Sequence, residues 1–135
     1  MRSPVEDVDT LRYTKDHLWV RVESGHARIG LSAHGQKALG DVIAVELPDI
    51  GDLLERGESF GEVESNRTVS DLLAPVSGRV KAINIDLEES PSLVNEDPNH
   101  EGWLVEVDLA DAAELDDLID ADQYESMVAD GDDGR

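Results

Sequence analysis

The side chains with the most distinctive placement lie in one short stretch, GEVESNRTVSDLLAPVSGRV at 61–80. Glu64 and Ser65 precede Asn66 and Arg67, Ser70 and Asp71 follow, and the alternation on either side reads as a hairpin that lifts position 67 into solvent. Arginine at such a tip offers a planar, permanently charged guanidinium, suited to pairing with an acidic group on a partner. No other constellation competes with it. His17, His26, His34 and His100 fall on separate expected elements with no i, i+4 pair and no carboxylate at ligand spacing, so no metal site is expected. Nothing marks any pair of the abundant acids as an acid–base couple, and the glycines of 51–61 lack G-x-x-x-x-G-K-[ST] and lie between strands rather than ahead of a helix. Without an assembled nucleophile and base, no catalytic residue and no enzyme are expected. Asn66-Arg67-Thr68 matches the glycosylation acceptor pattern, but no secretory signal gives the match meaning. Trp19 and Trp103 fall in expected strands and read as core.

The elements that must hold this tip are mostly strands. LWVRVE at 18–23 and HARIGL at 26–31 alternate apolar and polar around Ser24-Gly25, which predicts a first hairpin. SAHGQKAL at 32–39 reads as a short helix capped by Ser32 and stopped by Gly40. VIAVEL at 42–47 follows, ended by Pro48, and further strands are expected at 59–65, 68–73, 79–85 and 103–109, separated by turn-rich segments. From Asp111 the period becomes helical: Asp111 with Glu114, then Asp120 with Gln123, resemble capping boxes and predict two short helices, the second reaching about Val128. Many short strands with regular turn signals imply a sandwich or barrel. One domain over 11–129 is expected, after an extension at 1–10 and before a disordered acidic tail at 130–135.

Composition narrows the function. Against 32 Asp and Glu the chain sets 11 Lys and Arg, and the net charge of −21 repels phosphate backbones and anionic headgroups. Nucleic acid and membrane are therefore not expected as partners; the acidity suits either basic partner surfaces or solubility alone. With no cysteine there are no disulfides, thiolate metal sites or thiol chemistry. The N-terminus lacks the apolar core of a signal peptide and the basic face of a transit peptide, and no segment has transmembrane length, so a cytoplasmic protein is expected.

The 61–80 hairpin resembles the arm-bearing hairpin of the glycine cleavage system H protein family, in which G-x-V-E-S-x-K-x-x-S-D-L-x-x-P-V-S-G carries lipoate on its lysine. The likeness extends through LRYT at 11–14, LGDVIAVELPDIGD at 39–52, LVNEDP at 93–98, EGWLVEVDL at 101–109 and ELDDLIDADQYE at 114–125. It implies a mainly β barrel-sandwich hybrid, like lipoyl and biotinyl domains, with short peripheral and C-terminal helices. It also implies a carrier and not an enzyme: a lipoyl arm that accepts an aminomethyl group at the P protein, presents it to the T protein and is reoxidised by the L protein.

Glu64, Ser65, Ser70 and Asp71 stand where the family's hairpin pattern has them, but Arg67 takes the lysine's place. Acylation needs a neutral amine. A lysine with a pKa of about 10.4 exposes one neutral amine in a few thousand at neutral pH, whereas the far more basic arginine offers roughly a thousandfold less from a delocalised group. Lipoate is therefore not expected to be attached. Asn66 stands where the family usually has an apolar residue, and Leu18, in HLW, replaces the glutamate of the family's HEW that contacts the loaded arm. Losing that carboxylate weakens the hold on a cationic aminomethyl group. The three departures imply an H-like protein acting by binding, with the P, T and L proteins or lipoate-attaching enzymes as partners. The alternative is a working aminomethyl carrier, with lysine at 67 or with the acyl group on Lys15, Lys37 or Lys81, none of which has the E-S-x-K presentation.

Overall fold

The computed structural model of the protein describes residues 11–23 and 26–131. In chain order these form β1 (Arg12–Tyr13), β2 (Leu18–Glu23), β3 (His26–Leu31), α1 (Ala33–Leu39), β4 (Val42–Glu46), β5 (Leu53–Leu54), β6 (Ser59–Ser65), β7 (Val69–Leu73) and β8 (Gly78–Ile83). Then come α2 (Asp86–Glu89), α3 (Leu93–Glu96), β9 (Val105–Leu109), a 3-10 helix (Ala112–Asp117), β10 (Ile119–Asp120) and α4 (Ala121–Gly131). The expected extension at 1–10, the Ser24-Gly25 turn and residues 132–135 of the expected tail lie outside the described residues.

All described pairings are antiparallel and make two sheets, one ordered β10-β1-β2-β3-β9-β8-β5 and the other β4-β6-β7. Both feed one core: Leu18, Val20, Ile29, Val80, Val105 and Val107 from the larger sheet meet Val42, Phe60, Val63 and Leu72 from the smaller. The fold is mainly β, a barrel-sandwich hybrid with short helices at its margins. Among the described residues no helix is long and apolar enough to cross a membrane.

The hairpins form because alternate residues have a face to bury. In β6 the outward side chains Glu62 and Glu64 alternate with buried Val63 and Ser65. Trp19 is fully buried, its indole N–H donating to the Pro98 carbonyl at 2.9 Å. Gly30 lies opposite it in register, and a Cβ there would overlap the indole ring, so only glycine leaves room for Trp19. Trp103 is half-buried, with the Arg28 guanidinium over its ring at 4.6 Å.

Several expected boundaries shift for identifiable reasons. The strand expected at 79–85 ends at Ile83 because buried Asn84 turns its amide to the carbonyls of Glu101 and Trp103, both at 2.8 Å. The helix expected after Asp111 is a 3-10 helix: Asp111 caps it by accepting from Ala113 N at 3.0 Å. Glu114 does not close a capping box, because its carboxylate accepts from Ser77 N at 2.6 Å and Ser77 Oγ at 3.0 Å. The second box is present, with Gln123 N donating to Asp120 Oδ1 at 2.8 Å and Asp120 N to Gln123 Oε1 at 3.3 Å. It opens α4, which runs past Val128 to Gly131. β1, β5, β10, α2 and α3 were not expected from the sequence.

Candidate functional site

The tip of the β6–β7 hairpin is built by Ser65. Its backbone N–H donates to Thr68 O at 2.8 Å, and its buried hydroxyl accepts from the amides of Arg67 and Thr68, each at 3.1 Å. The same hydroxyl donates to Leu39 O at 2.8 Å. A two-residue hairpin loop normally needs left-handed residues. Here Asn66 and Arg67 stay at negative φ, and the serine oxygen receives the amides of the turn in place of a backbone carbonyl.

The tip rests on the C-terminal end of α1. Asn66 N donates to Asp41 O at 2.9 Å, and Arg67 Nη1 to Ala38 O at 3.3 Å. The guanidinium therefore lies on a carbonyl at the end of the helix, where a cation is favoured. Gly40, at φ 98°, makes this approach possible: a Cβ there would stand 2.8 Å from Asn66 Oδ1 and 3.1 Å from Arg67 Nε. As expected, α1 begins at Ser32, whose Oγ accepts from Gly35 N at 3.0 Å, and Gly40 closes it.

Behind the tip is a cleft of about 160 Å³ whose walls include Asp16, Leu18, Ala38, Leu39, Ser70 and Leu72. Leu18, expected at an arm-contact position, is only 1% exposed and is part of the core that forms the cleft wall. Ser70 and Asp71 border the same cleft. Glu64 does not; it faces outward from the smaller sheet, level with Ala44 and Val69. Two register positions further from the tip, Glu46, Glu62 and Asp71 stand side by side across the three strands, all exposed.

Beside the cleft, His17 adopts φ 71°, and its Nδ1 is 2.7 Å from Tyr124 Oη, which is also 2.7 Å from Ser32 Oγ. Tyr13 stacks on Tyr124 with ring centroids 4.3 Å apart. Burial is the main cause that raises both phenol pKa values above the ordinary 10.0; Glu125 pushes Tyr13 the same way, while Tyr124's bond to Ser32 opposes the rise. His17 and His34 come within 4.8 Å despite their separate elements, and among the described residues no group of three or more His, Cys, Asp or Glu could hold a metal ion. The support at 38–41 was missed in the sequence because backbone carbonyls do the bonding; Gly40 after the helix was the available sign.

A barrel-sandwich hybrid with an exposed β6–β7 hairpin tip has the architecture of lipoyl- and biotinyl-type domains. The model for the glycine cleavage H-protein matches residues 11–131, and the chain belongs to that family. It is 51% identical over 118 residues to the glycine cleavage system H protein of Brevibacillus brevis, covering 87% of this chain and 94% of the relative. Against that of Vibrio campbellii it is 51% identical over 120 residues, covering 88% and 95%. The crystal structure of a glycine cleavage system H protein from Mycobacterium marinum superposes with a TM-score of 0.83 at 35% identity, covering 90% of this chain and 98% of that one. Proteins of the family are lipoyl carriers and not enzymes, and they work with the P, T and L proteins of the system.

Proposed function

We propose that this chain is an H-family protein that does not carry lipoate and acts by binding the P, T or L protein or a lipoate-attaching enzyme. The observation that carries the reading is Arg67 itself: the group at the displayed position is a guanidinium, and it lies on Ala38 O at 3.3 Å. A delocalised cation with no accessible lone pair does not fit amide formation with an activated acyl group. Leu18 adds support, placing an alkyl side chain in the cleft wall where the family pattern has glutamate. The cytoplasmic setting expected from the sequence belongs to the same proposal.

A second reading is a functional aminomethyl carrier in glycine catabolism. It is favoured by the intact frame around position 67, in which Glu64, Ser65, Ser70 and Asp71 keep the family's residues and Ser65 builds the turn.

Intact-mass measurement after incubation with a lipoate ligase, ATP and lipoate separates the two. The unaltered chain is expected to gain no lipoyl mass, and the Arg67→Lys variant to gain one lipoyl group. A lipoyl adduct on the unaltered chain, at position 67 or on Lys15, Lys37 or Lys81, overturns the first reading and supports the second.

A further inference from the structure

Asn95 lies in α3, away from the hairpin in sequence and not in its turn, yet its side chain reaches the support beneath it. Its Oδ1 accepts from Val42 N at 2.7 Å, and its Nδ2 donates to Gly40 O at 2.9 Å and to Gln36 Oε1 at 2.6 Å. Four consecutive carbonyls at the end of α1 are thus each engaged. Ala38 O receives Arg67 Nη1, Leu39 O receives Ser65 Oγ, Gly40 O receives Asn95 Nδ2 and Asp41 O receives Asn66 N. Three of the four bonds come from the hairpin tip, and the fourth comes from Asn95.

Gly40 is the weak link of this ledge. Its φ of 98° suits glycine, and glycine has the widest backbone freedom of any residue. The peptide units that accept from the tip would otherwise be free to rotate about it. A side-chain amide that binds Gly40 O and Val42 N, on either side of Asp41, and is itself tied through Gln36 to the body of the helix restricts that rotation.

We propose that Asn95 is the positioning residue of the hairpin tip: by bracketing Gly40 and Val42 it fixes the 38–41 ledge on which residues 65–67 rest. It acts on the tip through the backbone of 40–42, which it holds from the side of the helix. The inference rests on the proposed function only in treating the tip as the recognised surface.

The test is amide hydrogen exchange on the full chain. The probe is Asn66 N–H, which donates to Asp41 O, and the reference is Leu104 N–H, which donates to Ile29 O on the larger sheet. Asn95→Ala is expected to speed exchange at Asn66 relative to Leu104 by about tenfold, the scale of one lost hydrogen bond. Val107→Ala, a core truncation on β9, is the matched control and should leave that ratio unchanged. An unchanged ratio in Asn95→Ala overturns the proposal. If Asn95→Ala fails to fold, Asn95→Asp replaces it, keeping the acceptor for Val42 and losing both donations.

A functional arm uses the Arg67→Lys background with lipoate ligase. There Asn95→Ala is expected to raise KM for the protein several-fold with little change in kcat, a split that general destabilisation does not produce. If Arg67→Lys accepts no lipoyl group even with Asn95 intact, the failure falls on the reading of the hairpin, and the exchange ratio still decides the role of Asn95.

Discussion

Arg67 Nη1 and the carbonyl oxygen of Ala38 lie 3.3 Å apart, so the side chain displayed by the hairpin lies back along the end of α1. The bond is exposed, and single exposed contacts contribute little to stability. Arg67→Ala should therefore shift the unfolding free energy by less than about 0.5 kcal/mol in a urea titration. Its effect belongs to binding: affinity for at least one of the P, T and L proteins or a lipoate-attaching enzyme should fall. Unchanged affinity for all of them would remove Arg67 from the interface.

Ser65→Ala should cost far more than its size suggests. The hydroxyl is buried and serves Leu39 O and the amides of Arg67 and Thr68 together, so truncation orphans groups in three places. A loss of about 1–3 kcal/mol in urea unfolding is expected. A neutral result would mean that the turn holds its shape without the serine.

Gly30→Ala tests the Trp19 packing. The added methyl would overlap the indole, and the ring cannot move without breaking its bond to Pro98 O. Overpacking of this kind costs about 1–3 kcal/mol, and the Trp19 emission should shift as the ring is displaced.

The two tyrosines of the chain are the stacked pair Tyr13 and Tyr124, so phenolate absorbance reports on this contact alone. Burial favours the neutral phenols, and their pKa values lie above the ordinary 10.0. In the unfolded chain they ionise near 10, so this contribution to stability is complete below pH 10 and is lost as pH rises toward the folded-state values. A spectrophotometric titration of the folded protein should show midpoints above 10, and alkaline unfolding should begin in the same range. Midpoints at 10 in the folded protein would show that the pair is solvated.

The long hairpins were legible because period-two alternation is a local property: β2–β3 and β6–β7 emerged where the pattern placed them, as did the helix between Ser32 and Gly40. The two-residue strands were not: β1 is too short to show a period, and besides β2 its residues Arg12 and Tyr13 pair with Asp120 and Ile119 near the other end of the described chain. Glu114 read as half of a capping box because spacing shows near neighbours, whereas its actual partner, Ser77, is 37 residues away. At the site, the hairpin and its departure at Arg67 were readable from residue types. That Leu18 forms a wall and not an exposed contact was not, because both faces of β2 are covered at that point, Trp19 on one side and the core on the other. Of the ledge at 38–41 only Gly40 showed in residue identities, which say nothing of where a carbonyl points.

The row of Glu46, Glu62 and Asp71 on the outer face of the smaller sheet sets like charges directly opposite one another, an arrangement that works against the pairing of the strands. Dissolved ions shorten the reach of that repulsion, from about 30 Å at 0.01 M to about 3 Å at 1 M. The sheet that bears the tip is thus better suited to brine than to dilute buffer, and the protein's melting temperature should climb as potassium chloride is added, less so once Glu62→Gln has thinned the row.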